Sequence, residues 1–139
     1  MWHTGTGKII YDPYRPGLKH KGKDKWWVIV DVDKEITRYY RWWVKKQFWL
    51  DLCKPSWDAH ISIIRGEKPA DHLLHLWKKY HGQTIEFQYS HDVRQTGIRS
   101  DRPDHYWFVD VDAPVLNDIR TELERPTGWK FHLTIGRTW

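Results

Sequence analysis

Residues 26–33 read WWVIVDVD and residues 105–112 read HYWFVDVD, and the reading of the fold starts from their likeness. Val30, Asp31, Val32 and Asp33 match Val109, Asp110, Val111 and Asp112. Each stretch is rich in β-branched and aromatic residues, as a strand is, and each ends on an aspartate suited to cap a helix. KEITRYYRWWVKKQFWLDL follows the first, with Ile36, Tyr39, Tyr40, Trp43, Val44 and Phe48 at helical spacing and Pro55 beyond it as a stop. After the second, Asp112 as cap, Pro114 in the first turn and VLNDIRTELE predict another helix. Each unit then reaches a strand with a histidine two residues before a hydroxyl: His60 and Ser62 in AHISIIRG, His132 and Thr134 in WKFHLTIGR. An arginine comes five residues after each histidine, at Arg65 and Arg137.

A duplicated strand, helix and strand predicts an α+β chain of two βαβ-type halves, at about 25–66 and 104–137. A pseudo-twofold would bring the two motif strands side by side in a concave antiparallel sheet with the helices outside. Between the halves, PADHLLHLWKKYHG reads as a short helix stopped at Gly82, TIEFQYS as a strand and HDVRQTGIRSDRPD as a long loop. Residues 1–24, with their Gly, Pro, Lys and Tyr, read as a mostly irregular basic arm ahead of a single domain over 25–139.

At 139 residues the chain suits one compact domain and one site. No run of about 18 apolar residues is present to span a bilayer, which argues against a membrane role. The opening MWHTGTGKII lacks the pattern of a secretory signal, so a cytoplasmic location is expected. The single Cys53 excludes an internal disulfide and a cysteine-based zinc site. A net charge of +5 favours anionic partners such as nucleotides or RNA, and some of the eleven tryptophans could stack on bases. No protein partner is indicated, and oligomeric state is left open.

Residues i and i+2 of a strand share a face, so each motif presents an imidazole and a hydroxyl together. Two such pairs can bracket a phosphate. One neutral imidazole takes a proton from the attacking oxygen, the other as imidazolium gives one to the leaving oxygen, and Ser62 and Thr134 hydrogen-bond the non-bridging oxygens. Nine histidines and thirteen Ser or Thr residues yield roughly one such tripeptide by chance, so the weight lies in the matched context of the two.

HISIIR and HLTIGR resemble the paired signature of the 2H phosphoesterase superfamily, which includes LigT-like RNA cyclic phosphodiesterases. The resemblance spans about residues 25–137. It implies a bilobal fold, no cofactor or metal, and cleavage of phosphodiesters such as 2′,3′-cyclic phosphates or 2′-5′ linkages, with His60, Ser62, His132 and Thr134 as catalytic residues. Serine stands at 62 where the family more often has threonine. In size and motif spacing the chain is also similar to phage members that destroy the cyclic oligonucleotide signals of CBASS immunity. That likeness implies a cyclic oligonucleotide substrate, with location in a host cytoplasm. The alternatives are an RNA-end 2′,3′-cyclic phosphodiesterase or 2′-5′ ligase-like enzyme, and a non-catalytic RNA-binding module.

Other features are weighed against blander roles. The pairs Asp31/Asp33 and Asp110/Asp112 resemble a divalent-metal motif, yet their place at strand ends favours capping. His72 and His75 have helical metal-binding spacing without a third ligand. Arg65 and Arg137 have the opposite strand parity to the histidines, which leaves phosphate contact open for both. Tyr11, Tyr14, Arg15 and Lys19 in the arm, and Trp139 at the last position, are candidates to close over a nucleotide.

Overall fold

A computed structural model describes residues 1–13, 26–55, 57–96, 106–128 and 130–138. Among these residues there are seven strands: β1 (Trp2–Tyr11), β2 (Val28–Val32), β3 (His60–Ile64), β4 (Thr84–Ser90), β5 (Arg94–Gln95), β6 (Tyr106–Asp112) and β7 (Phe131–Arg137). Among them too, the helices α1 (Lys34–Phe48) and α2 (Pro114–Glu122) connect β2 to β3 and β6 to β7, and a 3₁₀ helix covers Asp71–Leu76. The protein is a mixed α+β chain with one antiparallel sheet. The sheet runs β4-β1-β2-β3-β7-β6-β5, and a further pairing of β4 with β6 closes six of its strands into a barrel.

A closed ring of strands encloses one face of every strand. The enclosed face is apolar: Ile9, Val28, Val30, Ile61, Ile85, Phe87, Val109, Leu133 and Ile135 are all buried. The alternate residues Lys8, Asp31, Glu86 and Asp112 are exposed on the outer face. α1 crosses one end of the ring, where its Tyr40 hydroxyl donates to the carbonyl of Ser90 at 2.9 Å. α2 closes the other end and sends Leu116, Ile119 and Leu123 into the same core. An open concave sheet is the expectation from the sequence; the sheet is closed, and both helices contribute side chains to the core that it encloses.

The extra closing strand comes from the stretch read as an irregular arm. β1 lies between β2 and β4, with Ile9 opposite Val30 and Gly5 opposite Phe87. Its glycines look like loop punctuation in the sequence, but they fill inward positions that admit no side chain. A Cβ on Gly7 would come within 2.6 Å of both the Asp31 carbonyl oxygen and Val30 Cγ1, and one on Gly5 within 2.9 Å of Phe87.

The remaining elements follow the sequence closely. Asp33 caps α1, its carboxylate accepting from the Glu35 amide at 2.9 Å, and Trp49 ends the helix in a left-handed conformation well before Pro55. Asp112 does not cap α2; that position is Ala113, with Pro114 in the first turn. The segment after Pro69 forms only the 3₁₀ helix, and Gly82 takes the positive φ of 82° that its stop role requires. No described helix is long and apolar enough to cross a membrane.

Candidate active site

The two motif strands are neighbours. β3 and β7 run antiparallel with Ile61 opposite Leu133, both pointing into the core. One step along that register in each direction sets Ser62 beside His132 and His60 beside Thr134. All four motif side chains share the outer face, and each histidine lies across from the other half's hydroxyl. In such a pair directly opposed Cβ atoms are about 5 Å apart and diagonal ones about 7 Å. The histidines occupy the diagonal, a separation into which a phosphate fits.

The halves repeat each other in hydrogen-bond register as well. β2 pairs Asp31 with His60, Val30 with Ile61 and Ile29 with Ser62, after which the register slips and Val28 meets Ile64. β6 pairs Asp110 with His132, Val109 with Leu133 and Phe108 with Thr134, then slips so that Trp107 meets Gly136. Ile63 and Ile135 are therefore the extra residues of two equivalent β-bulges, each directly after its motif hydroxyl.

A bulge reverses strand parity beyond it, so the opposite parity counted along an unbroken strand for Arg65 and Arg137 does not hold past Ile63 and Ile135. Arg65 turns to the outer face, its guanidinium 5.1 Å from the Trp27 ring centre and its charge acting on His60. Arg137, opposite Tyr106, is subject to the same reversal, and its main chain exchanges hydrogen bonds with Cys53 at 2.9 Å.

His60 is held by its Nδ1, which donates to the Trp57 carbonyl at 2.6 Å. A carbonyl can only accept, so Nδ1 carries the hydrogen and Nε2 offers a lone pair. The ring stands edge-on to Trp27 at 5.5 Å between centres, and Trp27 Nε1 donates to Ser62 Oγ at 3.2 Å. That bond occupies the serine as acceptor and leaves its hydroxyl hydrogen available to an anion. Burial pushes His60 down from 6.5 to about 4, and the charges of Arg65 and His132 add to the effect, against the Trp57 hydrogen bond and Asp58. His60 is neutral at neutral pH.

His132 is more open to solvent, with one side of its ring against Phe108 at 5.5 Å between centres. The protein packed on that side lowers its pKa, while a hydrogen bond with the Lys130 main chain and the Asp110 carboxylate across the ladder act to raise it. Asp110 also pairs with Arg94 at 2.9 Å. A cavity of about 230 Å³ opens beside Ser62 and His132, with Arg65, Lys130 and Glu67 in its walls.

Several sequence candidates lie elsewhere. Tyr11 faces inward at 3% exposure, edge-on to Trp77, and burial raises its hydroxyl to about 12; it packs the core and does not reach a surface nucleotide. Tyr14, Arg15, Lys19 and Trp139 lie outside the described residues. Asp33 caps a helix, but Asp31 and Asp110 sit on the outer wall opposite the motif histidines and cap nothing. His72 is exposed and 3.8 Å from Glu124, and among the described residues no three His, Cys, Asp or Glu side chains gather as a metal-binding group. Trp27, Trp57, Phe108 and Lys130 were not singled out from the sequence. Trp27 was legible only as a strand residue, since its contact with Arg65 depends on the bulge.

No family model matches the chain, and neither a curated protein nor a solved structure matches it.

Proposed function

We propose that the chain is a metal-independent phosphodiesterase that cleaves a nucleotide phosphodiester, with a cyclic oligonucleotide as the favoured substrate class. The observation carrying this reading is the cross-strand arrangement of the two motifs, with each imidazole beside the opposite hydroxyl on one face. The likeness of HISIIR and HLTIGR to the 2H phosphoesterase signature, with its bilobal fold, agrees with it. The phosphate would lie between the histidines. Neutral His60 accepts the proton of the attacking water at Nε2, and His132 donates one to the leaving oxygen. Asp110 across the ladder favours the protonated form of His132, and the dianionic charge developing at phosphorus favours it further. Ser62 and Thr134 donate to the non-bridging oxygens, and Arg65 offsets their charge. Trp57 and Phe108, both partly exposed beside the histidines, offer aromatic rings suited to a nucleotide, while buried Trp27 packs against His60 and Arg65 from behind.

The test is turnover of a cyclic dinucleotide, a cyclic trinucleotide and an RNA end bearing a 2′,3′-cyclic phosphate, each with and without EDTA. The reading expects cleavage of a cyclic oligonucleotide at the highest kcat/KM, unchanged by the chelator. Preference for the RNA end would move the function to RNA processing. Binding of all three without cleavage would leave a non-catalytic RNA module.

A further inference from the structure

Arg120 follows Arg41 by the same interval that separates Asp110 from Asp31, so the two arginines occupy equivalent places on α2 and α1. Their bonds are alike in kind, and Arg120 donates in addition from Nε to the Pro126 carbonyl at 2.7 Å. Arg41 grips Asp58 with two nitrogens at 3.0 and 3.2 Å and donates to the Ile135 carbonyl at 2.8 Å. Arg120 grips Glu67 at 2.8 and 3.1 Å and donates to the Ile63 carbonyl at 2.7 Å. Ile63 and Ile135 are the two bulge residues. Each arginine reaches across the pseudo-twofold, from the helix of one half to the motif strand of the other.

A bulge leaves its extra residue out of the ladder, and a carbonyl there needs a donor from elsewhere. Arginine suits the task because its fork can hold a carboxylate and a carbonyl at once. The geometry assigns Arg41 and Arg120 a common role as positioning residues: each locks the bulge behind the opposite motif and so holds Arg65 or Arg137 on the histidine face. This rests on the histidine pair being the working site. Neither half sets its own bulge alone, because each bulge carbonyl is held from the helix of the other half.

Arg120 gives the cleaner test, because Arg41 is also bound to Asp58, next in sequence to Trp57, whose carbonyl holds His60. The charged and titratable groups facing His60 are Arg65, His132, Asp58 and, across the β2 ladder, Asp31, together with the Trp57 carbonyl; all but Arg65 are common to the four proteins compared. The ring resonances of His60 are titrated by NMR in the wild type, Arg65→Gln, Arg120→Lys and the double variant. Lysine keeps the charge of Arg120 but cannot span both partners. Loss of the clamp should let Arg65 leave the site, so Arg120→Lys should raise the His60 pKa above its wild-type value of about 4. The rise should match that of Arg65→Gln, and the double variant should add nothing. A folded Arg120→Lys with unchanged His60 titration would overturn the proposal, as would additive shifts.

Should Arg120→Lys fail to fold, Glu67→Gln serves in its place. It weakens the grip on Arg120 from outside the core, and a folded Glu67→Gln must show a smaller rise in the same direction, its absence counting against the clamp. The titration needs no turnover. An inactive wild type with the expected shifts would remove the phosphodiesterase reading and keep the clamp, and an active wild type without them would remove the clamp alone.

Discussion

Acid should destabilise this protein through His60, and the structure sets the amount. In the unfolded chain the imidazole titrates at its ordinary 6.5, whereas burial beside Trp27 and Arg65 brings it to about 4 in the folded state. Above 6.5 both states are neutral at this residue and it contributes no pH dependence. Between 6.5 and about 4 the unfolded state binds a proton that the folded state refuses, so stability falls as the pH falls. At about 1.4 kcal/mol per unit the full loss is about 3 kcal/mol, complete once the folded-state pKa is passed. His60→Asn is the matched control, since its side-chain amide can replace the Nδ1 donor to Trp57 without titrating. Urea unfolding of both proteins from about pH 8 down to about pH 4 gives ΔG at each step. His132 shifts in the same direction but is common to both proteins and cancels. Asp58, held below its usual value by Arg41 and Thr37 in spite of burial, loses its charge only below this window. The gap between the two proteins should change by about 3 kcal/mol in the direction of wild-type loss. Parallel stability curves would refute the reasoning, because they would mean that the folded protein protonates His60 freely.

With neutral His60 as base and protonated His132 as acid, kcat/KM should rise through about pH 4 and fall again below 6.5, an acid-shifted bell read from initial rates across pH. A profile still rising above pH 7 would reverse the roles or end them. His60→Ala and His132→Ala should each lower kcat by at least about a hundredfold, and Ser62→Ala and Thr134→Ala by roughly ten- to a hundredfold, with circular dichroism unchanged. Hydroxyl losses larger than the imidazole losses would contradict the assignment. Gly7→Ala should destabilise by about 1–3 kcal/mol in urea, since its Cβ meets main-chain oxygen and Val30 inside a narrow barrel; a neutral effect would show that β1 has slack.

What could be read from the sequence was the repeated element and what it carries. WWVIVDVD and HYWFVDVD predict β2 and β6, the helices follow at their expected places, and the two motif strands meet as their duplication implies. β1 escaped because its inward residues include Gly5 and Gly7, and a strand whose buried side is kept bare by a crowded interior has no hydrophobic alternation to detect. Ring closure escaped with it. The orientation of Arg65 stays open in the sequence for a different reason. Counting residues along a strand assumes an unbroken pleat, and nothing in ISIIRG marks Ile63 as the residue that breaks it. The bonds of Arg41 and Arg120 are longer-range still, joining residues 94 and 57 positions apart.

The ladders of the barrel are unequal in a way that follows the repeats. β1 pairs with β4 at seven positions and with β2 at five, and β6 pairs with β7 at six. Where β7 and β6 meet the rest of the ring, β4 and β6 share two pairs and β3 and β7 only one. The ring is therefore two stiff staves joined along two thin seams, and His60 and His132 stand on opposite sides of one of them. The Arg41 bond to the Ile135 carbonyl and the Arg120 bond to the Ile63 carbonyl span this seam from outside the ladder, so the spacing of the two imidazoles is set by two arginine side chains as much as by strand pairing.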